Sequence, residues 1–377
     1  MATINGTGGD DTLNGTSSAD TINGLGGNDT LYGNGGSDTI DGGTGADTMY
    51  GGTGNDRYIV DDVNDSVNEN SGEGTDEVRT TLAAYTVGAN VENLRFTGSG
   101  SFTGTGNELN NEITGGGSDD ILTGNDGHDT LVGGGGADTL YGGADHDTLT
   151  GGTGADHMEG NTGNDVYVVD NSGDVVVELS GEGIDHVYSS LAVYTIPDEV
   201  ENATFNGLSG TFTVTGNALD NVIYGGGGAD TMSGGDGNDE LRGQGGSDTL
   251  SGGAGNDLIV GSGGVGIDTM TGGADADTFQ IGYYESQTGA SADIITDFTS
   301  GTDIIDLSGW DADINTAGNQ AFTFIGSAAF SNTAGELRTY FDGVNSWVQG
   351  DISGDGVADF DIRLDGNVTP VSSDFIL

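Results

Sequence analysis

Aspartate returns every nine residues at Asp11, Asp20, Asp29, Asp38, Asp47 and Asp56. A second run passes through Asp120, Asp129, Asp138, Asp147, Asp156 and Asp165, with Asn111 in phase ahead of it. A third holds Asp230, Asp239, Asp248 and Asp257, then Asp268 after two extra residues, then Asp277. Two residues beyond each aspartate stands an apolar side chain, such as Leu13, Ile22, Leu31, Ile40, Met49 and Tyr58 in the first run. A period held this strictly predicts a repeat architecture, in which each unit buries its apolar residue only against its neighbours.

The unit itself explains the period. In GGTGADTMY (42–50), Gly42, Gly43 and Gly45 precede Asp47, and in the following unit Gly51, Gly52 and Gly54 precede Asp56. The same trios are Gly133, Gly134 and Gly136, then Gly225, Gly226 and Gly228, then Gly234, Gly235 and Gly237. Glycine permits positive φ, so the first six positions predict a tight turn. The last three predict a short strand whose central side chain points inward. Two units make one coil of turn, strand, turn, strand, and coils stack about 4.8 Å apart. The expected fold is therefore all-β, a parallel β-roll or β-helix solenoid.

Stacking sets each turn over the turn two units earlier. Backbone carbonyls and one carboxylate per turn then converge on the space between them. Six or more hard oxygens at about 2.3–2.6 Å suit Ca²⁺, whereas Mg²⁺ wants stricter geometry and keeps its waters. The aspartates of all three runs, with the glycine trios that shape their turns, are the candidate ligands of multiple calcium ions. Charge agrees: the chain is −55 with six basic residues, all arginine. An unneutralised stack of carboxylates repels itself. The same charge argues against nucleic acid and anionic membranes as partners. No cysteine is present, so disulfides and thiolate metal sites are excluded. No apolar run is long enough for a transmembrane helix.

The unit resembles the GGxGxDxUx nonapeptide of the RTX (repeats-in-toxin, hemolysin-type) calcium-binding family. Strict copies are GGTGADTMY (42–50), GGGGADTLY (133–141), GGTGADHME (151–159), GGGGADTMS (225–233), GGDGNDELR (234–242) and GGAGNDLIV (252–260). Copies such as GTSSADTIN (15–23) keep the aspartate and lose glycines. The tail is similar to the C-terminal domain of serralysin-type secreted metalloproteases, through ADIITDFTSGTDIIDLS (292–308), FTFIGSAAFSNTAGELR (322–338) and GDISGDGVADFDIRLDG (350–366). Asp374, Phe375, Ile376 and Leu377 resemble that family's acidic-plus-apolar terminal signal for type I (ABC) export. The resemblance implies a secreted, extracellular protein, with the type I apparatus as a partner through the C-terminal end. The family's zinc motif H-E-x-x-H is missing, and no enzymatic activity is expected.

Two segments between the runs copy each other: YIVDDVNDSVNENSGEGTDEVRTTLAAYTV (58–87) and YVVDNSGDVVVELSGEGIDHVYSSLAVYTI (167–196). Both are rich in β-branched and aromatic residues and read as strands. The expected organisation is a β-roll block over 1–60, a β-rich insert over 61–105, a second block over 106–169, a second insert over 170–215, a third block over 216–272, and a serralysin-like β domain over 273–377. GEGTDEV (72–78) and GEGIDHV (181–187) recur with the inserts, together with the paired acids Glu69 and Glu178. Carboxylate pairs serve glycoside chemistry in other settings, but duplicated acids in a duplicated strand insert read as structural. Tyr58, Tyr167 and Phe279 close their blocks and read as plugs at the end of the roll. His128, His146 and His157 fall at turn and strand-start positions and read as surface spacers. Asp351 to Gly356 resembles the start of an EF-hand, but Ile362 stands where the closing glutamate belongs, so a turn between strands is expected.

The function expected from all this is calcium binding that drives folding on export. Two other readings stay open: the non-catalytic calcium-binding and secretion part of a larger extracellular enzyme of protease, lipase or alginate epimerase type, or a surface adhesin or matrix protein. In the last, a polysaccharide or cell-surface ligand would bind through the inserts.

Overall fold

The computed structural model describes residues 1–205, 210–261, 266–282 and 288–377. Parts of the second insert, of the third block and of the TFQIGYYES stretch that opens the tail lie outside the described residues. The chain forms two units, Met1–Asp185 and His186–Leu377. Among the described residues every regular element is a strand apart from two short 3₁₀ turns.

In the first unit, one face is an unbroken parallel ladder. It runs Thr3–Asn5, Thr21–Asn23, Thr39–Asp41, Arg57–Val60, Glu77–Thr80, Asn93–Phe96, Glu112–Thr114, Thr130–Gly135, Thr148–Thr153 and Val166–Val169. The opposite face is in two pieces. Thr12–Asn14 leads through Thr30–Gly35 and Thr48–Thr53 to Ser66–Asn68. Ala84–Thr86 then begins a second stack that ends at Val175–Val177. Register within the blocks is the 18-residue coil, as in Leu31↔Met49 and Leu140↔Met158. Glu77–Thr80 and Asn93–Phe96 carry the 61–105 segment along the first ladder, while its other strands join the opposite face, and differences in coil length are absorbed by the loops between them.

The core is the column of inward residues two places beyond each aspartate. Ile22, Leu31, Ile40, Met49, Leu122, Leu131, Leu140 and Leu149 are all fully buried. Each contributes about 1.5–3 kcal/mol through burial. Coil 84–105 is an exception: Gly104 takes the place in register of Leu122. The Phe102 ring fills that space and stacks on Phe96 at 4.6 Å.

The second unit repeats the plan. Parallel strands run from His186–Ser189 through Asn202–Phe205, Val222–Tyr224, Glu240–Arg242, Leu258–Val260 and Thr278–Gln280. Ile304–Asp306 and Phe375–Ile376 extend the same ladder. On the other face Thr269–Ala274 pairs with Asp293–Ile295, which pairs with Phe360–Leu364. Only then does the sheet turn antiparallel, with Ser346–Asp351 and Glu336–Phe341. Both ladders of the third block thus pass into the tail, so the tail's core is continuous with that block. Trp310 is buried there, its indole donating to the Ile281 carbonyl at 2.6 Å. Trp347 instead stacks on the half-exposed Tyr340 outside.

The fourth glycine position shows why stacking demands glycine. Gly45 has φ 135°, and a Cβ there would run into the Gly27 carbonyl one coil below. Gly9 holds the same position in the first turn, and a Cβ on it would meet nothing within 4 Å. Gly45→Ala should therefore lower stability by about 1–3 kcal/mol, and Gly9→Ala by almost nothing, in parallel thermal melts.

Candidate metal centre

Each repeat aspartate splits its carboxylate between two tasks. Oδ1 stitches the stack by accepting the backbone N–H of the aspartate one coil earlier: Asp29 N–H to Asp47 at 2.7 Å, Asp38 to Asp56 at 2.7 Å, Asp138 to Asp156 at 2.8 Å, Asp239 to Asp257 at 2.8 Å. This relay links turns 18 residues apart, so neighbouring repeats such as Asp47 and Asp56 lie on opposite edges of the roll. Oδ2 points at the first glycine of its own turn. A Cβ at Gly42, Gly51, Gly133, Gly225 or Gly234 would strike Oδ2 of Asp47, Asp56, Asp138, Asp230 or Asp239 respectively.

The second position of the turn decides what Oδ2 meets. In one class of turn it lies outside the left-handed region, and its N–H donates to the carboxylate or amide oxygen. Thr7 donates to Asp11 at 2.6 Å, Thr16 to Asp20 at 2.7 Å, Gly116 to Asp120 at 2.5 Å and Gly226 to Asp230 at 3.0 Å. Asn107 and Asn217 do the same to Asn111 and Asn221. In the other class the second residue is left-handed, as at Gly43 (φ 78°), Gly52 (φ 85°), Gly134 (φ 108°) and Gly235 (φ 122°). The flipped peptide withdraws its N–H. Oδ2 is then buried with no hydrogen-bond partner in Asp29, Asp38, Asp47, Asp56, Asp129, Asp138, Asp147, Asp156, Asp165, Asp239, Asp248 and Asp257. Leu25, Asn34, Asn125, Asn161 and Gln244 adopt the same left-handed conformation without being glycine. That is a strained choice at the second position, and it leaves the aspartate's Oδ2 without an N–H.

Capped turns form the first coil of each block, and open turns form the coils stacked on it. An ionised carboxylate oxygen that is buried and unpaired is costly, and a cation is the ordinary remedy. With no counter-charge beside them, several open-turn acids are held above the ordinary carboxylate range. Burial, then the neighbouring aspartates Asp165 and Asp129, pushes Asp147 up to about 8. Burial likewise raises Asp239 to about 7 and Asp38, Asp138 and Asp248 to about 6. Carbonyls of the flipped turns and hard carboxylates make an all-oxygen donor set, which fits calcium. The asparagines at capped Asn111 and Asn221 agree, since no negative charge is needed where an N–H satisfies the oxygen.

At the third-block end, Asp268 and Asp277 donate their N–H groups to Asp293 and Asp303. Gly237 is left-handed like Gly45, Gly54 and Gly136, and a Cβ on Gly228 would meet the Gly210 carbonyl. The relay also enrols Asp65 and Asp174, one period beyond their runs, and Asp76, Asp185, Asp293 and Asp303, which the nine-residue period does not reach. Their signal is the aspartate–x–apolar triplet, as in Asp65-Ser66-Val67 and Asp76-Glu77-Val78. His128 and His146 stack at 5.2 Å on the outer rim, where His128 Nδ1 accepts the His146 N–H. Asp351 spends its carboxylate on the Gly354 and Gly356 N–H groups and closes a turn between strands.

Two family models match the chain. The model of the RTX calcium-binding nonapeptide repeat (4 copies) matches residues 5–40, 32–67, 105–140, 132–167 and 141–176. The peptidase M10 serralysin C-terminal model matches residues 203–377. Curated proteins give no match. Among solved structures, the AlgE6R3 subunit of the Azotobacter vinelandii mannuronan C5-epimerase is 27% identical, covering 42% of this chain and 78% of its own, with TM-score 0.26. The AlgE6R2 subunit of that enzyme is 24% identical, covering 45% and 91%, with TM-score 0.23.

The two classes of turn separate in a mutational test. Asp138→Asn in an open turn should remove calcium from the bound count and lower calcium-dependent stability. Asp20→Asn in a capped turn should leave the count unchanged. Calorimetric calcium titration of both variants against the unaltered chain measures it. The chain carries RTX calcium-binding nonapeptide repeats and a serralysin-type C-terminal region.

Proposed function

We propose that the chain is a secreted protein whose open turns bind on the order of a dozen calcium ions, and that this binding folds it after type I export. The observation that carries the reading is the row of buried, partnerless Oδ2 atoms beneath left-handed turns. In calcium-poor cytosol those oxygens and the −55 charge oppose compaction. Outside the cell calcium supplies the missing partner, and its binding energy becomes folding energy. Asp29, Asp38, Asp47 and Asp56 would hold ions in the first block, Asp129 to Asp165 in the second, and Asp239 onward in the third.

The terminal signal suits this order of events. Asp374 is buried and accepts from the Ser300 hydroxyl at 2.6 Å and the Gly301 N–H at 3.0 Å. Phe375–Ile376 pairs with Ile304–Asp306. Folded, the end of the chain is tied into a sheet; an apparatus that reads it would do so before folding. Among the described residues no helix is long and apolar enough to cross a membrane.

Circular dichroism tests the core of the reading. Millimolar calcium should produce a large gain in β signal that excess EGTA reverses, and a full β signal in EGTA would overturn it. Export has its own assay: deletion of Asp374 to Leu377 should sharply reduce secretion through a type I system, and undiminished secretion would remove that part.

A polysaccharide partner has one observation behind it. Arg57, Arg79 and Arg95, half of the chain's six basic residues, lie on neighbouring strands of one face. Arg57 and Arg79 both pair with Glu77, and a groove lined by Arg57, Glu77, Arg95 and Glu112 runs beside them. This patch would suit an acidic polysaccharide. Arg95→Ala should then abolish retardation of the calcium-loaded protein in a gel containing such a polymer.

A further inference from the structure

At each point where a block passes into an insert, the regular ladder is interrupted by a glutamate, half-buried at Glu69 and buried at Glu178. Tyr50 pairs with Asn68 in register, so Glu69 stands one coil on from Gly51. Glu159 pairs with Val177, so Glu178 stands one coil on from Gly160. In the earlier coils of the same block this slot belongs to glycine, at Gly15 and Gly33 in the first and at Gly106, Gly124 and Gly142 in the second. A Cβ on Gly33 would face Asp38 Oδ2 and the carbonyl of Gly51. A Cβ on Gly51 would face Asp56 Oδ2 and, in place of a carbonyl, the Glu69 carboxylate. A neutral oxygen has been exchanged for a charged one, against an aspartate that is only 2% exposed.

Three carboxylates meet there. Asp56, Glu69 and Asp76 each place an oxygen within 4.8 Å of the others, and Asp165, Glu178 and Asp185 do the same in the second copy. The tyrosine that closes each block anchors the glutamate: Tyr58 donates its hydroxyl to Glu69, and Tyr167 to Glu178. In the second copy the Tyr167 hydroxyl also receives the Gly160 N–H at 2.7 Å, which fixes its direction. Asp56 Oδ2, Glu69 Oε2 and Asp76 Oδ2 are buried without partners, as are Asp165 Oδ2 and Glu178 Oε2. Asp56, Asp76, Asp165 and Asp185 are each at most 2% exposed, which leaves no room for a sugar between the acids.

We propose that each junction holds a hard divalent cation, calcium or one of its size, on Asp56, Glu69 and Asp76, and on Asp165, Glu178 and Asp185. A proton is the competing occupant, and it does not suffice. One proton on Glu69 would donate to a single neighbour and leave at least one ionised, buried oxygen unpaired. A cation at the centre satisfies all three. Oxygen-only donors favour a hard ion over zinc or copper, and three formal charges on anchored side chains favour tight binding. The site differs from the turn sites in drawing a side chain from the glycine slot and in its tyrosine anchor. The choice of calcium as the ion rests on the calcium reading of the repeats; the site itself does not.

Native mass spectrometry of the calcium-saturated full-length chain counts bound ions directly. Glu69→Gln/Glu178→Gln, with each amide still able to accept from its tyrosine, should carry two fewer ions than the unaltered chain. Glu108→Gln, an exposed acid outside the cluster, should lose none. An unchanged count in the double variant overturns the junction site and leaves the turn sites standing. An unaltered chain that binds no calcium overturns both. Should the double variant fail to fold, crystals of the unaltered chain soaked in terbium decide the matter. Anomalous peaks between Asp56, Glu69 and Asp76 and between Asp165, Glu178 and Asp185 support the proposal. Peaks at the turns with none at either junction refute it.

Discussion

A buried carboxylate oxygen without a partner is the constraint on which this structure turns. Burying the apolar column forces the turns into tight stacking, and tight stacking buries the aspartates with it. One oxygen of each is used to bind the coil below. The other must be satisfied by the turn's own N–H or by a cation, or else give up its charge to a proton. The conformation of a single residue, the second of each turn, selects between them. Whether a turn leaves an oxygen open to a metal is thus a backbone property as much as a side-chain one, since the aspartate is self-sufficient under Thr16 and orphaned under Gly43.

The sequence declares most of the architecture because the period is a mechanical consequence of the fold. A residue that must point inward every nine positions, with glycine wherever two turns touch, leaves a pattern that reads directly as strand, turn and core. The chemistry of the aspartates is equally legible as far as residue type goes. What the pattern hides is the division into capped and open turns. GGGGADTMS (225–233) is a strict copy by sequence, yet Gly226 caps Asp230. Degenerate repeats with Leu25 or Asn34 at the second position are open. Glycine allows the left-handed conformation without requiring it; what imposes it is a nonapeptide turn stacked beneath. Whether a turn is open is thus set by its neighbour one coil away, which no single unit records.

The inserts were harder to read for a related reason. Their loops vary in length, so the spacing that carries the period breaks, and Asp76 and Asp185 fall 20 residues beyond their partners instead of 18. Their triplet signature survives because the aspartate still stitches and the apolar residue still fills the core. Glu69 and Glu178 read from sequence as structural acids, and Tyr58 and Tyr167 as large plugs. Each reading captures one half of a pair. Only the register across coils brings the hydroxyl and the carboxylate together inside the roll.

The order in which the chain folds follows from the same accounting of oxygens. The first coil of each block satisfies its aspartates from its own backbone and carries asparagine at Asn111 and Asn221 without loss. It is the coil that forms a closed set of hydrogen bonds with no ion. Every later coil stacks its open turn on the turn below, and on the proposed calcium reading the ion would bridge the two. Capped coils are therefore the natural starting points from which calcium-dependent stacking propagates, as nearest-neighbour coupling in a linear repeat array requires. Propagation along one block then stops where the glycine carbonyls give way to the inserts, at the positions where a glutamate replaces a glycine and restores an oxygen to the end of the ladder.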